Sequence, residues 1–542
     1  MLPIPDLLHL KPRLSLDGPR TYAMLEVAFL GGNNPVSLDQ VVVDDAAHGW
    51  DGSFFAEDLF LESLARDHFK VVSDGRRYKV NHEFLVRVLT DPPTTVAGVR
   101  FRQEIVRELD EGGTVHEATH QLFRQLNQLL GQLRVPSHQA RHDVNGYRLE
   151  VLALAKGAID WMADAFSGAR SGLHRLHEAG LAMQGTEEYR LLAALLEWHE
   201  EASTIDLEIA VGAEGRITRL EVKSVDHHRD NPFSQSRWRV WWQQLSLLVT
   251  HGQMLDRKEI VTRVIQDVFE RLGPALVPLV QLLGHLEFYL VGFELSAQAA
   301  KNGLSMSLPE VGDDVALHLD DLFNPLLLDQ DQPPVPTQVG LERAESITLL
   351  TGPNSGGKTR LLQALGIAQL LGQSGLYVPA SRARMPVVSG LFVSLIEREA
   401  ADQDEGRLGR ELRRIRAMFD SISGPSMVII DELCSGTNPS EGVEVFTLVL
   451  RLLDRIRPVA FITTHFLDFA RDLEASPPVP NMRFLQVEVG PDQRSTYQFV
   501  PGVASTSLAA VMAERLGVTF DELADAVERR RVARERALAA AE

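Results

Sequence analysis

The chain has 542 residues, 44% of them hydrophobic and 24% charged, with a formal net charge of −20. That length exceeds one ordinary core and predicts about two to four domains of a soluble globular protein. So negative a balance argues against a surface devoted to neutralising nucleic-acid phosphates, while leaving room for a local basic strip.

The single cysteine, Cys434, allows no internal disulfide and fits a reducing cytoplasm. The opening MLPIPDLLHLKPRL lacks the basic segment and long apolar core of a secretory signal. Apolar runs such as Ala275–Leu283 fall short of a span, so no membrane partner is expected.

Residues 1–95 read as a mixed segment: β-prone runs at Tyr22–Leu30 and Gln40–Val43, then a helical stretch over Glu57–His68. A helical core and lever region is expected over residues 96–320. From Val99 to Leu133 apolar residues recur at helical spacing: Phe101, Ile105 and Leu109, then Leu122, Leu126, Leu129 and Leu133. Breaks at Val135–His138 and Asn145–Gly146 precede helices over Tyr147–Ser167 and Ser171–Glu201. Ile205–Val225 alternates apolar and polar residues around AEG and predicts a β-hairpin. More helix is expected from Trp238 to Asn302, punctuated at Gly273–Pro274. Beyond the Pro-rich Asp329–Gln338, strands and helices alternate from Ile347 to Phe499, predicting an α/β domain over residues 321–500. Residues 501–542 read as a helical tail with a turn at Leu516–Gly517–Val518.

Within the α/β segment, Gly352, Gly357, Lys358 and Thr359 fit G-x-x-x-x-G-K-[ST], with Pro353, Asn354, Ser355 and Gly356 between them. Glycines there let backbone N–H groups converge on ATP phosphates. Lys358 adds a charge for the β and γ phosphates, and the Thr359 hydroxyl suits Mg²⁺. The helix that follows points its positive end at the same place. In MVIIDELCSGTNPSEG (Met427–Gly442) an apolar strand ends in two carboxylates. Asp431 is placed to hold Mg²⁺, and Glu432 to orient the attacking water. VAFITTHFLDF (Val459–Phe469) is a third apolar strand, ending in Thr463, Thr464 and His465. His465 is placed to sense the γ phosphate.

These residues, in this order, resemble the MutS ATPases of DNA mismatch repair. TGPNSGGKT, VPASRARMPV, DELCSGTNPSEG and TTHFLDFA each resemble a family motif, and PGVASTSLAAVMAERLGV (Pro501–Val518) resembles its helix-turn-helix. The close likeness runs over Leu322–Ala526; EDLFLESLA and FRQEIVREL extend it weakly into the helical core. The resemblance implies a helical core and lever region followed by an ABC-type P-loop ATPase with a C-terminal helix-turn-helix. It implies ATP and Mg²⁺ as cofactors, a homodimer paired through the tail, and a nucleic-acid partner, DNA before RNA, in repair or recombination.

Three departures qualify that likeness. The Phe-x-Glu of mismatch-reading members has a counterpart at Phe55, Ala56 and Glu57. It runs straight into the helix resembling the core, so direct mismatch reading is not expected, and neither is a Smr-type nuclease tail. Leu408–Gly409 stand where the family's trans-acting signature has Ser-Thr, and Pro333–Thr337 replace its usual base-binding aromatic and Asn. With the acidic charge, these leave a second reading open, an ATPase remodelling a protein or ribonucleoprotein assembly. Weaker signals are read as structural: the Arg runs Arg407–Arg416 and Arg529–Arg536 as solvated faces, Ser236–Trp242 as helix-end packing, and the histidines of Asp226–Asp230 and His174–His177 as surface.

Overall fold

The computed structural model describes residues 3–31, 50–134, 143–199, 203–211, 217–227, 257–353, 355–395, 407–422, 424–434, 438–491, 493–505 and 518–539. The chain divides into two compact units. Met1–His48, Ala65–Leu295 and Ser374–Leu376 form the first; Gly49–Leu64, Ser296–Gln373 and Tyr377–Glu542 form the second.

The first unit is helical. It contains α1 (Gly18–Phe29), the end of α2 (Leu61–His68), a small hairpin of β1 (Val71–Ser73) and β2 (Arg76–Tyr78), then α3 (His82–Thr90), α4 (Val96–Asp110) and α5 (Thr114–Arg134). Next come α6 (Val144–Ala165), α7 (His174–Gln184), α8 (Glu187–His199), the ribbon of β3 (Ser203–Val211) and β4 (Ile217–His227), and most of α9 (Arg257–Lys301). Side-chain caps fix several starts: Asn81, Thr95 and Asp143 accept from the backbone N–H of Phe84, Gly98 and Gly146. The ribbon pairs antiparallel with Ile205 opposite Val225, as the alternation predicts.

Two expectations are overturned by the structure. Tyr22–Leu30 is not a strand: α1 covers it, because Asp17 caps the Arg20 N–H, a proline opens the first turn, and Met24, Leu25, Ala28 and Phe29 reach the core together. The helical spacing over 99–133 falls on two helices, α4 and α5, separated where Gly112 and Gly113 take φ of 71° and 80°. Gly273–Pro274 does not interrupt α9, although Pro274 and Pro278 each forgo a helical hydrogen bond at about 3 kcal/mol. Packing on every side holds the helix. A Cβ on Gly273 would lie 2.1 Å from the Tyr22 ring, and the most apolar window of Val261–Lys301, long enough to cross a membrane, is 89% buried against protein. Trp238–Asp256 and the Gln40–Val43 run lie outside the described residues.

The second unit carries two sheets. One is mixed, in the order β5 (Glu310–Gly312), β9 (Arg382–Pro386), β6 (His318–Leu322), β7 (Thr337–Gly340). The other has the order β10 (Gly390–Ser394), β11 (Ser426–Ile430), β12 (Val459–Thr463), β8 (Ser346–Thr351), β13 (Met482–Val489), β14 (Ser495–Pro501). Its first five strands run parallel and β14 closes the edge antiparallel. Every residue of β8, β11 and β12 is buried, as parallel strands covered on both faces require. Helices α10 (Lys358–Gln373), α11 (Arg407–Ser421), α12 (Pro439–Ile456) and α13 (Leu467–Ala475) join them, and the tail is α14 (Phe520–Ala539). Of the expected helix-turn-helix, residues 506–517 lie outside the described residues.

A candidate nucleotide site at the strand ends

Strand β8 is the point at which the parallel sheet reverses its order, with β12 on one side and β13 on the other. Ligands of open α/β sheets sit beyond the carboxyl ends of the strands at such a switch. The loop Gly352–Gly357 leaves β8 there and turns into α10. Its glycines are required: Gly352 and Gly357 have φ of 137° and 87°, and a Cβ on Gly352 or Gly356 would come within 2.7 or 2.8 Å of Val487. Asn354 lies outside the described residues.

Lys358 is 3% exposed. Its ammonium donates to Gly352 O at 2.9 Å and Pro353 O at 3.1 Å. Burial lowers its pKa, opposed by the Glu432 and Asp431 carboxylates. Across the loop mouth the Asp431 carboxylate accepts from Thr359 Oγ1 and, through its other oxygen, from Thr463 Oγ1. Thr463 Oγ1 in turn accepts the Glu432 N–H at 2.7 Å. The sequence places Thr463 at a strand end without assigning it work. Its hydroxyl links both carboxylate residues, a role no spacing rule would expose. Glu432 and Cys434 take φ of 50° and 60°, and the Cys434 N–H is held by Glu411 Oε1 at 2.7 Å. Burial, reinforced by Glu411, pushes the Cys434 thiol up to about 12, so it stays protonated and unreactive.

These groups fit a nucleotide with its magnesium ion. A buried cation rests on its own loop's carbonyls, and hard hydroxyl and carboxylate oxygens converge beside it, the donor type Mg²⁺ takes. His465 is exposed beyond β12 with its ring 4.2 Å from that of Phe466, and no hydrogen bond joins it to the carboxylates. Among the described residues no cluster of His, Cys, Asp and Glu could hold another metal. Leu408 packs against the core cluster around Met418 and Ile430, so the apolar residue at the signature position is spent on packing within the chain.

Two cavities adjoin the loop. One of ≈560 Å³ is lined by Lys358, Thr359, Gln363, Leu395, Phe60 and Tyr497. The other, ≈300 Å³ and more apolar, is walled by Pro333, Val335, Leu361, Tyr497 and Phe499. From the stretch Pro333–Thr337, which puts base preference in doubt, Pro333, Pro334, Val335 and Thr337 line this cavity together with Tyr497 and Phe499 of β14.

Residues 348–530 match MutS domain V. The chain carries a MutS-family ATPase domain. It is 32% identical over 274 residues to an endonuclease MutS2 of Thermus thermophilus, a stretch covering 50% of this chain and 35% of the relative. It is 28% identical over 281 residues to an endonuclease MutS2 of Streptococcus thermophilus, 51% of this chain and 34% of that protein. The chain therefore matches about a third of the length of these curated relatives. The likeness is distant and covers about half the chain, and the helical region precedes a mixed α/β region consistent with the MutS ATPase domain.

Proposed function

We propose that this chain is an ATP-driven, DNA-associated protein whose hydrolysis switches a dimeric clamp between open and closed states. The observation that carries the nucleotide half is the oxygen cluster of Thr359, Asp431 and Thr463 beside the buried ammonium of Lys358. In this reading Lys358 exchanges the carbonyls of Gly352 and Pro353 for the β and γ phosphates. The loop from Gly352 to Gly357 would offer its backbone N–H groups to the phosphates at every position but Pro353, which has none. Thr359 and Asp431 would hold Mg²⁺, which would supply positive charge beside the phosphates. Glu432, oriented through Thr463, aligns the attacking water. His465 reports the γ phosphate from outside the cluster, a role that requires its ring to turn inward from Phe466. The aromatic-walled cavity of Tyr497 and Phe499 takes the base.

The DNA half rests on the likeness to endonuclease MutS2. Its test is ATP turnover with and without duplex, junction and single-stranded DNA and structured RNA, at two salt concentrations, with Glu432→Gln as the blank. Stimulation by one DNA structure that weakens with salt is expected. A flat response with real basal turnover would favour the remodelling of a protein assembly. That second reading is supported by the −20 charge and by Leu408 turned into its own core.

A further inference from the structure

The ATPase unit includes a strap that lies about 300 residues upstream of the phosphate loop, Trp50–Phe60, outside the stretch that matches MutS domain V. Its anchoring is extensive. Trp50 Nε1 donates to Val388 O at 3.2 Å, and Phe54 meets the Phe392 ring edge-on at 5.0 Å. Phe55 and Leu59 are fully buried, and Leu59 lies so close to α10 that a Cβ on Gly366 would come within 2.6 Å of it. The Asp58 carboxylate accepts the Leu395 N–H at 2.7 Å and pairs with Arg414 of α11. Arg414 also donates to Val393 O, and next along, the Ser394 carbonyl accepts the Asp431 N–H at 2.8 Å.

The strap ends on Phe60, a large apolar side chain that follows the buried Asp58 and Leu59. It is itself 41% exposed, with φ of 53°. A non-glycine aromatic in the left-handed region is uncommon and persists where surrounding structure holds it. Here the held ring lines the larger cavity, facing the same space as Lys358 and Thr359, with Leu395 beside it. An aromatic and a leucine on the wall of a phosphate cavity contribute no hydrogen bond. What they contribute is exclusion of water, which strengthens every charge interaction on the cavity floor.

We propose that Phe60 is a nucleotide-contacting residue, closing the terminal-phosphate end of the site in cis, so that the upstream strap is a working part of the ATPase. The proposal rests on the nucleotide reading of the cavity. It predicts discrimination: a ring at the terminal-phosphate end matters to a triphosphate and little to a diphosphate.

The test uses the full chain and fluorescent ribose-labelled AMP-PNP and ADP. Phe60→Ala removes the ring; Phe60→Asn also removes it and, because Asn tolerates the left-handed region, keeps the backbone. Both are expected to weaken AMP-PNP binding by about fivefold to tenfold and leave ADP within about twofold. Phe60→Leu should recover most of the loss. Equal weakening of both nucleotides, weakening of ADP alone, or no change in either would overturn the proposal. Lys358→Ala distinguishes failure of the strap proposal from failure of the nucleotide reading. If it loses both nucleotides while the Phe60 variants bind like the unaltered chain, the nucleotide reading stands and the strap proposal falls. If the unaltered chain binds neither nucleotide, both fall.

Discussion

The ATPase unit and the helical unit each bury a cluster of charged groups around a short loop, and the two clusters are built differently. At the phosphate loop, Lys358 is satisfied by two carbonyls of the loop itself, bonds that a phosphate can replace. In the helical unit, the N-terminal stretch around Asp6 is fastened from every side. Asp6 accepts from the N–H groups of Leu8 and Arg13 at 2.8 and 3.0 Å and from His9 Nδ1 at 2.8 Å. Fully buried Arg102 donates to Leu8 O at 2.8 Å, Arg175 to Asp6 O and His9 O at 2.7 Å each, and Tyr289 to Leu7 O at 2.6 Å. His285 accepts the Leu7 N–H at 3.2 Å. One cluster is poised to exchange partners and the other is closed. A buried charge is therefore not by itself a sign of a site; what matters is whether its partners are dispensable.

The largest effect that would break this contrast belongs to Lys358→Ala. A charge that acts on the transferred phosphoryl should cost on the order of 10³–10⁵ in turnover, by analogy with other cationic groups in phosphoryl transfer. Thermal stability should hardly fall, since the residue is buried against a lowered pKa. Phosphate release and a thermal melt check both; a large loss of stability would make Lys358 a lock like Asp6. Conversely, Asp6→Ala should leave Arg102 and its neighbours without their anion and destabilise the helical unit by about 3–5 kcal/mol. Calorimetry should show that loss with nucleotide affinity intact. A cost under about 1 kcal/mol would mean that the closed cluster is not what holds the N-terminal stretch.

The same cluster sets a pH dependence. Burial, together with the charges of His9 and Arg102 and against the pull of Asp6, holds His285 down to about 3. From its ordinary value near 6.5 down to that point, the unfolded chain binds a proton that the folded chain refuses. Stability should therefore fall with acid by up to about 1.4 kcal/mol per pH unit from this residue. Asp6 acts in the same direction at lower pH. Burial would raise its pKa, but the His9 hydrogen bond and the charges of His285 and His9 hold it to about 2. Its contribution is present above the usual carboxylate value and lost as pH falls toward 2. Urea unfolding at pH 7 and pH 5 measures the slope, and His285→Asn should flatten it.

How much of this was legible in the sequence follows the same division. The exchangeable cluster announces itself, because phosphate binding demands glycines, a lysine and a threonine at fixed spacing, and the strands beside it must be apolar throughout. Ile347–Leu350, Met427–Ile430 and Val459–Thr463 accordingly fall on observed strands. The closed cluster and the strap obey no spacing rule. Arg102 lies in a stretch that reads as ordinary amphipathic helix, and its partners are 94 and 272 residues away. Phe55, Ala56 and Glu57 read as a stray motif, while the structure uses Phe55 as core for a domain that begins far downstream. Tyr22–Leu30 fails for a related reason: β-branched and aromatic residues favour a strand locally, and burial of one helical face overrides them.

The smallest effect on stability concerns the tail, and it bears on assembly. Phe520 is 85% exposed, and Leu523 and Val527, three and seven residues on, are 48% and 67% exposed along the same helical face. Substituting Phe520 in a free chain should change stability by no more than about 0.5 kcal/mol, since its side chain is largely exposed among the described residues. If the tail pairs two copies, Phe520→Ser should nevertheless weaken association, because an apolar stripe covered in the dimer is returned to water. Sedimentation across a concentration series reads that change with the thermal melt as its control. Association that is unaltered by Phe520→Ser would remove this face from any pairing surface. The proposed closing of the site by Phe60 needs only the chain's own strap and would be untouched.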